Sequence, residues 1–153
     1  QGLSVLPAAD PALRAELALP ELSPEQIEAL RIEAAIPKLG GDLSPRNFPQ
    51  EARLERAFSL KKGCYVGQEI VARIASRGAV NRLLVKLRTR ALVAPGSEIR
   101  LADTVVGQVT SSAVSMASGP IALGYVRVAE ARAGVELEIG PTRGEIVEDY
   151  SRR

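Results

Sequence analysis

Apolar residues follow two different periods along this chain, and the change comes near residue 78. Ahead of it the spacing is mostly helical. Gly2 to Leu6 is a short apolar run stopped by Pro7, which predicts a strand. Asp10-Pro11 then predicts a helix to about Leu19, with Asp10 as N-cap and proline at the first helical position. Ser23-Pro24-Glu25-Gln26 reads as a capping box, and the helix behind it should end before Pro37. At ~100° per residue, Ile27, Leu30 and Ala34 share one face, taken here as the packing face. Glu33 lies ~60° from Leu30 and so borders that core. Residues 37–49, punctuated by Pro37, Gly40, Gly41, Pro45 and Pro49, read as a long loop. Glu51 to Leu60 fits a helix. From Gln68 the helical spacing returns, with Ile70, Val71 and Ile74 on one face.

Beyond Gly78 the period becomes two. Leu83, Val85 and Leu87 alternate with Lys86 and Arg88, and Ile99 alternates with Leu101 after the Pro95-Gly96 turn. TVVGQVTSSAVS, PIALGYVRVA, GVELEI and GEIVED continue the pattern. Half a dozen short strands at ~8–12-residue spacing predict a small antiparallel barrel or sandwich. The fold class is therefore α+β, divided between residues 1–77 and 78–153.

Composition narrows the functions. The chain has 153 residues, 46% of them hydrophobic but only 3% aromatic, and 20 basic residues nearly balance 18 acidic ones. Without a basic run or an aromatic platform, nucleic acid is not an expected partner. No run approaches ~20 apolar residues, so no membrane partner is expected. One cysteine and no histidine make neither an internal disulfide nor a closed metal site from this chain alone, so no metal ligands are assigned. The N-terminus carries no signal-like pattern, and a cytoplasmic protein is expected. A chain starting Gln-Gly-Leu reads as a piece of something longer.

The single cysteine lies in KGCYVGQE, residues 62–69. Two readings of Cys64 stand side by side. It is a small buried hydrophobe beside turn-forming glycines. Or it is a thiol drawn toward thiolate by Lys61, Lys62 and the N-terminus of the following helix. Papain-type catalysis lacks its base, because there is no histidine. Glu33 is likewise open: a solvated helix carboxylate paired with Arg31, or a ligand group. Gly40-Gly41 alone is a common turn former, and Glu69 is most simply a first-turn helix acid.

Together these stretches resemble a known family. KKGCYVGQE is similar to the K-G-C-Y-x-G-Q-E signature of YgfZ-type folate-binding proteins, relatives of the glycine cleavage T-protein (GcvT, aminomethyltransferase). ALRIEAAIPKLGGDL resembles the family's L-R-x-E-x-x-x-P-x-x-G-x-D segment, NFPQEARL the stretch after it, and VARIASRGAVNRLLVKL the passage into a C-terminal barrel. PGSEIRL, VVGQVTSSAVS and PIALGYV look like its strands.

The resemblance implies the C-terminal half of such a protein: the end of a GcvT-like, ferredoxin-like α/β domain, then the barrel. It implies tetrahydrofolate as cofactor, with Glu33 at the pterin edge, where two carboxylate oxygens can accept from adjacent N–H donors. Arg31 is implied to orient that helix or bind the folate tail. Lys62, Gly63 and Tyr65 are implied as cofactor-binding and Cys64 as the reactive or ligating thiol. Iron–sulfur client or assembly proteins are the implied partners. Ala35 departs from the pattern, standing where glycine is common, so a methyl occupies the helix end. Competing expectations are a folate-dependent aminomethyltransferase and a non-catalytic docking module. As this fragment, the chain is not expected to act as an independent enzyme.

Overall fold

The computed structural model describes residues 21–59, 63–64, 66–77 and 80–148, with backbone alone for 74–77. The strand and helix expected within residues 1–20 lie outside the described residues. Among the described residues, two α-helices, α1 (Pro24–Glu33) and α2 (Gln68–Arg77), precede six strands. These are β1 (Arg82–Thr89), β2 (Glu98–Leu101), β3 (Thr104–Ser115), β4 (Gly119–Arg127), β5 (Glu136–Ile139) and β6 (Thr142–Ile146). The strands close into a barrel in the order β1-β4-β3-β2-β5-β6, with β6 returning to β1 and every pair antiparallel. Closure leaves no edge strand with unpaired backbone groups. Of the two expected architectures the barrel is the one formed.

The alternation expected in β1 is present. Val85 and Leu87 are fully buried in the barrel interior with Ile99, Val109, Val126 and Ile146, and Leu83 packs against them. Lys86 and Arg88 point the other way. Leu84 shares their outward side yet is also buried, in a second cluster with Ile32, Ile121, Leu123 and Tyr125. β4 reads as a continuous apolar run because α1 covers its outer face while the barrel fills its inner one. β3 and β4 approach closely: a Cβ on Gly107 would lie 2.1 Å from the Tyr125 carbonyl oxygen.

Three expectations need correction. The capping box of α1 forms as expected, with Ser23 Oγ accepting from the Gln26 N–H and Gln26 Oε1 accepting from the Ser23 N–H. Its packing face, however, is carried by Ala29 and Ile32, while Ile27 and Leu30 are 53% and 37% exposed. Alanine at 29 lets the helix approach the barrel. Glu33, about 40° around the helix from Ala29, therefore sits on the packed side. Second, the described part of this stretch, residues 51–59, contains a single 3₁₀ turn, Glu55–Ala57, and no α-helix. Arg53 has φ 60°, which interrupts a helix. Glu51 is instead buried and spent on the barrel, accepting from Arg82 Nε at 3.1 Å and, through its carbonyl, from the Leu84 N–H at 2.8 Å. Third, Leu101 does not face inward with Ile99, because a register shift between Ile99 and Arg100 breaks the alternation.

The two faces of α1 are separable by mutation. Ile32→Ala should lower the unfolding free energy by about 3 kcal/mol in urea titrations, and Ile27→Ala by less than about 1 kcal/mol. Equal losses would contradict the packing described.

Candidate functional site

The end of α1 is held to the barrel by a buried ionic cluster. Arg31 Nη1 donates to Asp42 Oδ2 at 2.6 Å and to the Ile36 carbonyl at 2.6 Å. Its Nε and Nη2 bind the two oxygens of Glu28 at 3.0 and 2.5 Å. The Asp42 carboxylate, with no exposed side-chain surface, also accepts from the Lys38 N–H at 2.9 Å and Ser111 Oγ at 2.7 Å, and from the Thr110 hydroxyl. One carboxylate thereby ties α1, the 37–49 loop and β3 together. Hydrogen bonds from Arg31 hold the Glu28 carboxyl below its ordinary range. Arg31 is itself partly buried, which works against its charge, yet the bonds to Glu28 and the charge of Asp42 raise its pKa. Its guanidinium is thus largely committed to orienting the helix.

Glu33 is the last residue of α1 and half-buried. Its Oε1 accepts from the hydroxyl of Ser115 at the end of β3, and its main-chain carbonyl accepts from Lys86 Nζ of β1 at 3.0 Å. Among the described residues nothing bonds Oε2. Two residues on, Ala35 has φ 52°, the left-handed conformation that glycine adopts without strain. The methyl expected at the helix end therefore sits on a conformation that favours glycine. Across the loop, burial first and the Glu51 charge second push the Tyr125 hydroxyl up to about 12, while Arg82, 4.9 Å over the ring, pulls the other way.

The cysteine segment lies apart from this cluster in the chain. Cys64 and Gly63 are exposed, which removes the buried reading of the thiol. Cys64 also precedes the first helical residue, Gln68, by four positions, with Gly67 at φ 86° between. A helix-terminus effect confined to the first turn is therefore weak at the sulfur. Lys62 and Tyr65 lie outside the described residues. Among the described residues no group of three His, Cys, Asp or Glu side chains could hold a metal ion, and no helix is long and apolar enough to cross a membrane.

Residues 82–148 match the family model of the glycine cleavage T-protein C-terminal barrel domain. The barrel of this chain is similar to that domain. It is similar to the aminomethyltransferase of Symbiobacterium thermophilum, 35% identical over 73% of this chain and 31% of that protein. Against the aminomethyltransferase of Corynebacterium aurimucosum it is 38% identical over 73% of this chain and 32% of that one. In three dimensions it resembles the crystal structure of glycine cleavage system aminomethyltransferase T from Bartonella henselae. The TM-score is 0.70 at 25% identity, covering 81% of this chain and 37% of the other. The chain spans about a third of the length of the T-protein relatives it matches.

In the sequence Asp42 stands only as the end of the L-R-x-E-x-x-x-P-x-x-G-x-D resemblance, and Lys86 only as a polar position of β1. The Arg31–Asp42 spacing within the L-R-x-E…G-x-D pattern was a usable signal for Asp42. Ser115 carries none, because its role depends on a partner 82 positions away.

Arg31→Met should cost about 3 kcal/mol in chemical unfolding, because it strands the Asp42 carboxylate in a buried place. Glu28 titrates below its ordinary 4.5 in the folded state, so its stabilisation is complete above that value and is lost as pH falls through the folded pKa. Thermal unfolding between about pH 6 and 3 should therefore show a smaller acid loss for Glu28→Gln than for the unaltered chain. Parallel curves would remove Glu28 from the cluster's energetics.

Proposed function

We propose that this chain contributes the pterin-recognising carboxylate and the cysteine segment of a tetrahydrofolate-binding protein of the YgfZ type, acting in iron–sulfur cluster assembly or repair. The observation that carries the folate reading is the state of Glu33. Its carboxylate stands half-buried at the end of α1, held by Ser115 through Oε1, with Oε2 unbonded among the described residues. A carboxylate in that condition suits a ligand edge with two adjacent N–H donors. The proteins it resembles are named aminomethyltransferases, and a folate site is compatible with one-carbon chemistry of that kind. Arg31 then serves as a positioning residue, Gly63 shapes the approach to Cys64, and Lys62 and Tyr65 complete the cofactor-binding segment.

The iron–sulfur part of the reading rests on KGCYVGQE. An exposed thiol with no histidine and no second cysteine in the chain needs a partner protein or a ligand to act. Iron–sulfur client or assembly proteins are the partners proposed.

Titration of the intact protein with tetrahydrofolate tests the first part. Glu33→Ala should weaken binding by at least about tenfold, as expected for loss of charge-assisted hydrogen bonds. Equal affinities would remove the pterin assignment. Complementation tests the second: Cys64→Ala should fail to restore iron–sulfur enzyme activity in cells lacking the protein, and full rescue would dismiss the thiol's role.

A second reading, folate-dependent aminomethyl transfer, is favoured by the names of the T-protein relatives. Turnover in a one-carbon transfer assay with the intact protein would support it, and a flat progress curve would set it aside.

A further inference from the structure

We propose that Ser115 is the positioning residue for the Glu33 carboxylate, so that the barrel sets the geometry of pterin recognition. The inference rests on the folate reading above and deepens it. Ser115 is 3% exposed and pairs with Gly119 across the β3–β4 hairpin. Its Oγ accepts from the N–H groups of Ala117 at 3.0 Å and Ser118 at 2.8 Å. A hydroxyl oxygen has two acceptor positions and one proton. With both acceptor positions filled by turn amides, the hydroxyl has only its proton to offer, and that proton goes to Glu33 Oε1. The hairpin backbone thus orients the serine, and the serine orients the carboxylate.

The other end of Glu33 is held as well, since Lys86 Nζ binds its main-chain carbonyl at 3.0 Å from β1. Two barrel strands therefore fix the residue at both ends. A carboxylate oxygen has two acceptor positions. Ser115 takes one on Oε1 and leaves the second, together with those of Oε2, for a pair of adjacent N–H donors. Fixing one oxygen fixes the plane of the carboxylate, which a bidentate partner requires. Holding a site group in its bound orientation before binding raises affinity by reducing the ordering that binding must supply. Nothing in α1 itself performs this task, because the Glu33 side chain would otherwise turn freely about its own torsions.

Equilibrium binding of tetrahydrofolate, and of a folate analogue lacking the 2-amino group, to the intact protein tests the inference. Ser115→Ala should weaken tetrahydrofolate binding by roughly tenfold and the analogue's binding less, so that discrimination between them falls. Ser115→Thr, which retains the hydroxyl, should restore both values. Ser115→Cys keeps the volume but donates weakly, and should behave like the alanine variant if that variant is too unstable to study. Combined with Glu33→Gln, Ser115→Ala should add almost nothing to the loss. A merely structural serine would lower the melting temperature while leaving the discrimination ratio intact and the two substitutions additive, and that outcome overturns the proposal. If the unaltered protein binds no tetrahydrofolate, the folate reading fails and this inference falls with it. Normal binding with an unchanged ratio in Ser115→Ala removes the inference alone.

Discussion

The carboxylate of Asp42 is the point on which this arrangement depends. It is wholly buried, so an unpaired charge there would be expensive, and the structure answers with donors from three separate elements. Arg31 reaches it from α1, the Lys38 amide from the loop, and Thr110 and Ser111 from β3. The apolar contact of α1 with the barrel is narrow, centred on Ala29 and Ile32. So small a stripe supplies adhesion but little angular control. The ion pair and its hydrogen bonds supply that control, because they are satisfied in one orientation of the helix.

That orientation decides where Glu33 ends up. With Ile32 packed onto Leu84, Ile121 and Leu123, the next residue in the chain comes to the rim of the same contact. There it meets Lys86 and Ser115, residues of two strands that enclose β4 in the barrel order. The carboxylate is thus an element of the barrel's outer wall as much as of the helix. Cys64 has no such anchoring: it is exposed and precedes α2 outside the helix. The two marks of the family resemblance therefore have different physical characters, one fixed by packing and one presented to solvent. A fixed carboxylate suits recognition of a ligand of defined shape. An exposed thiol suits a partner that brings its own complementary groups.

Much of this was legible from the residues alone. Alternation in NRLLVKLRT defined the inward side of β1, because a half-buried strand repeats every two residues whatever surrounds it. Ser23 and Gln26 marked the start of α1, because a capping box is satisfied within four residues. The short antiparallel strands followed from turn spacing, which left barrel and sandwich both open. KGCYVGQE and the L-R-x-E segment carried the family resemblance, since both are contiguous strings.

Tertiary structure decided what depends on residues far apart. Which face of α1 is buried could not be read from Ile27 and Leu30, because apolar residues on a short helix do not say which side a barrel will occupy. The stretch after Glu51 has helical composition, yet Glu51 is claimed by the barrel, its carboxylate by Arg82 and its carbonyl by the Leu84 N–H. The inward turn of Leu101 was lost to a bulge that only pairing with β3 creates. Ala35 stands where the pattern commonly has glycine, and only the fold shows it left-handed, where the chain must turn away from Glu33. Local patterns thus determined most of the elements, and the family resemblance pointed to the candidate carboxylate. Closure of the barrel determined which donors meet that carboxylate, because Ser115 and Lys86 reach it only when β1 and β3 stand on either side of β4.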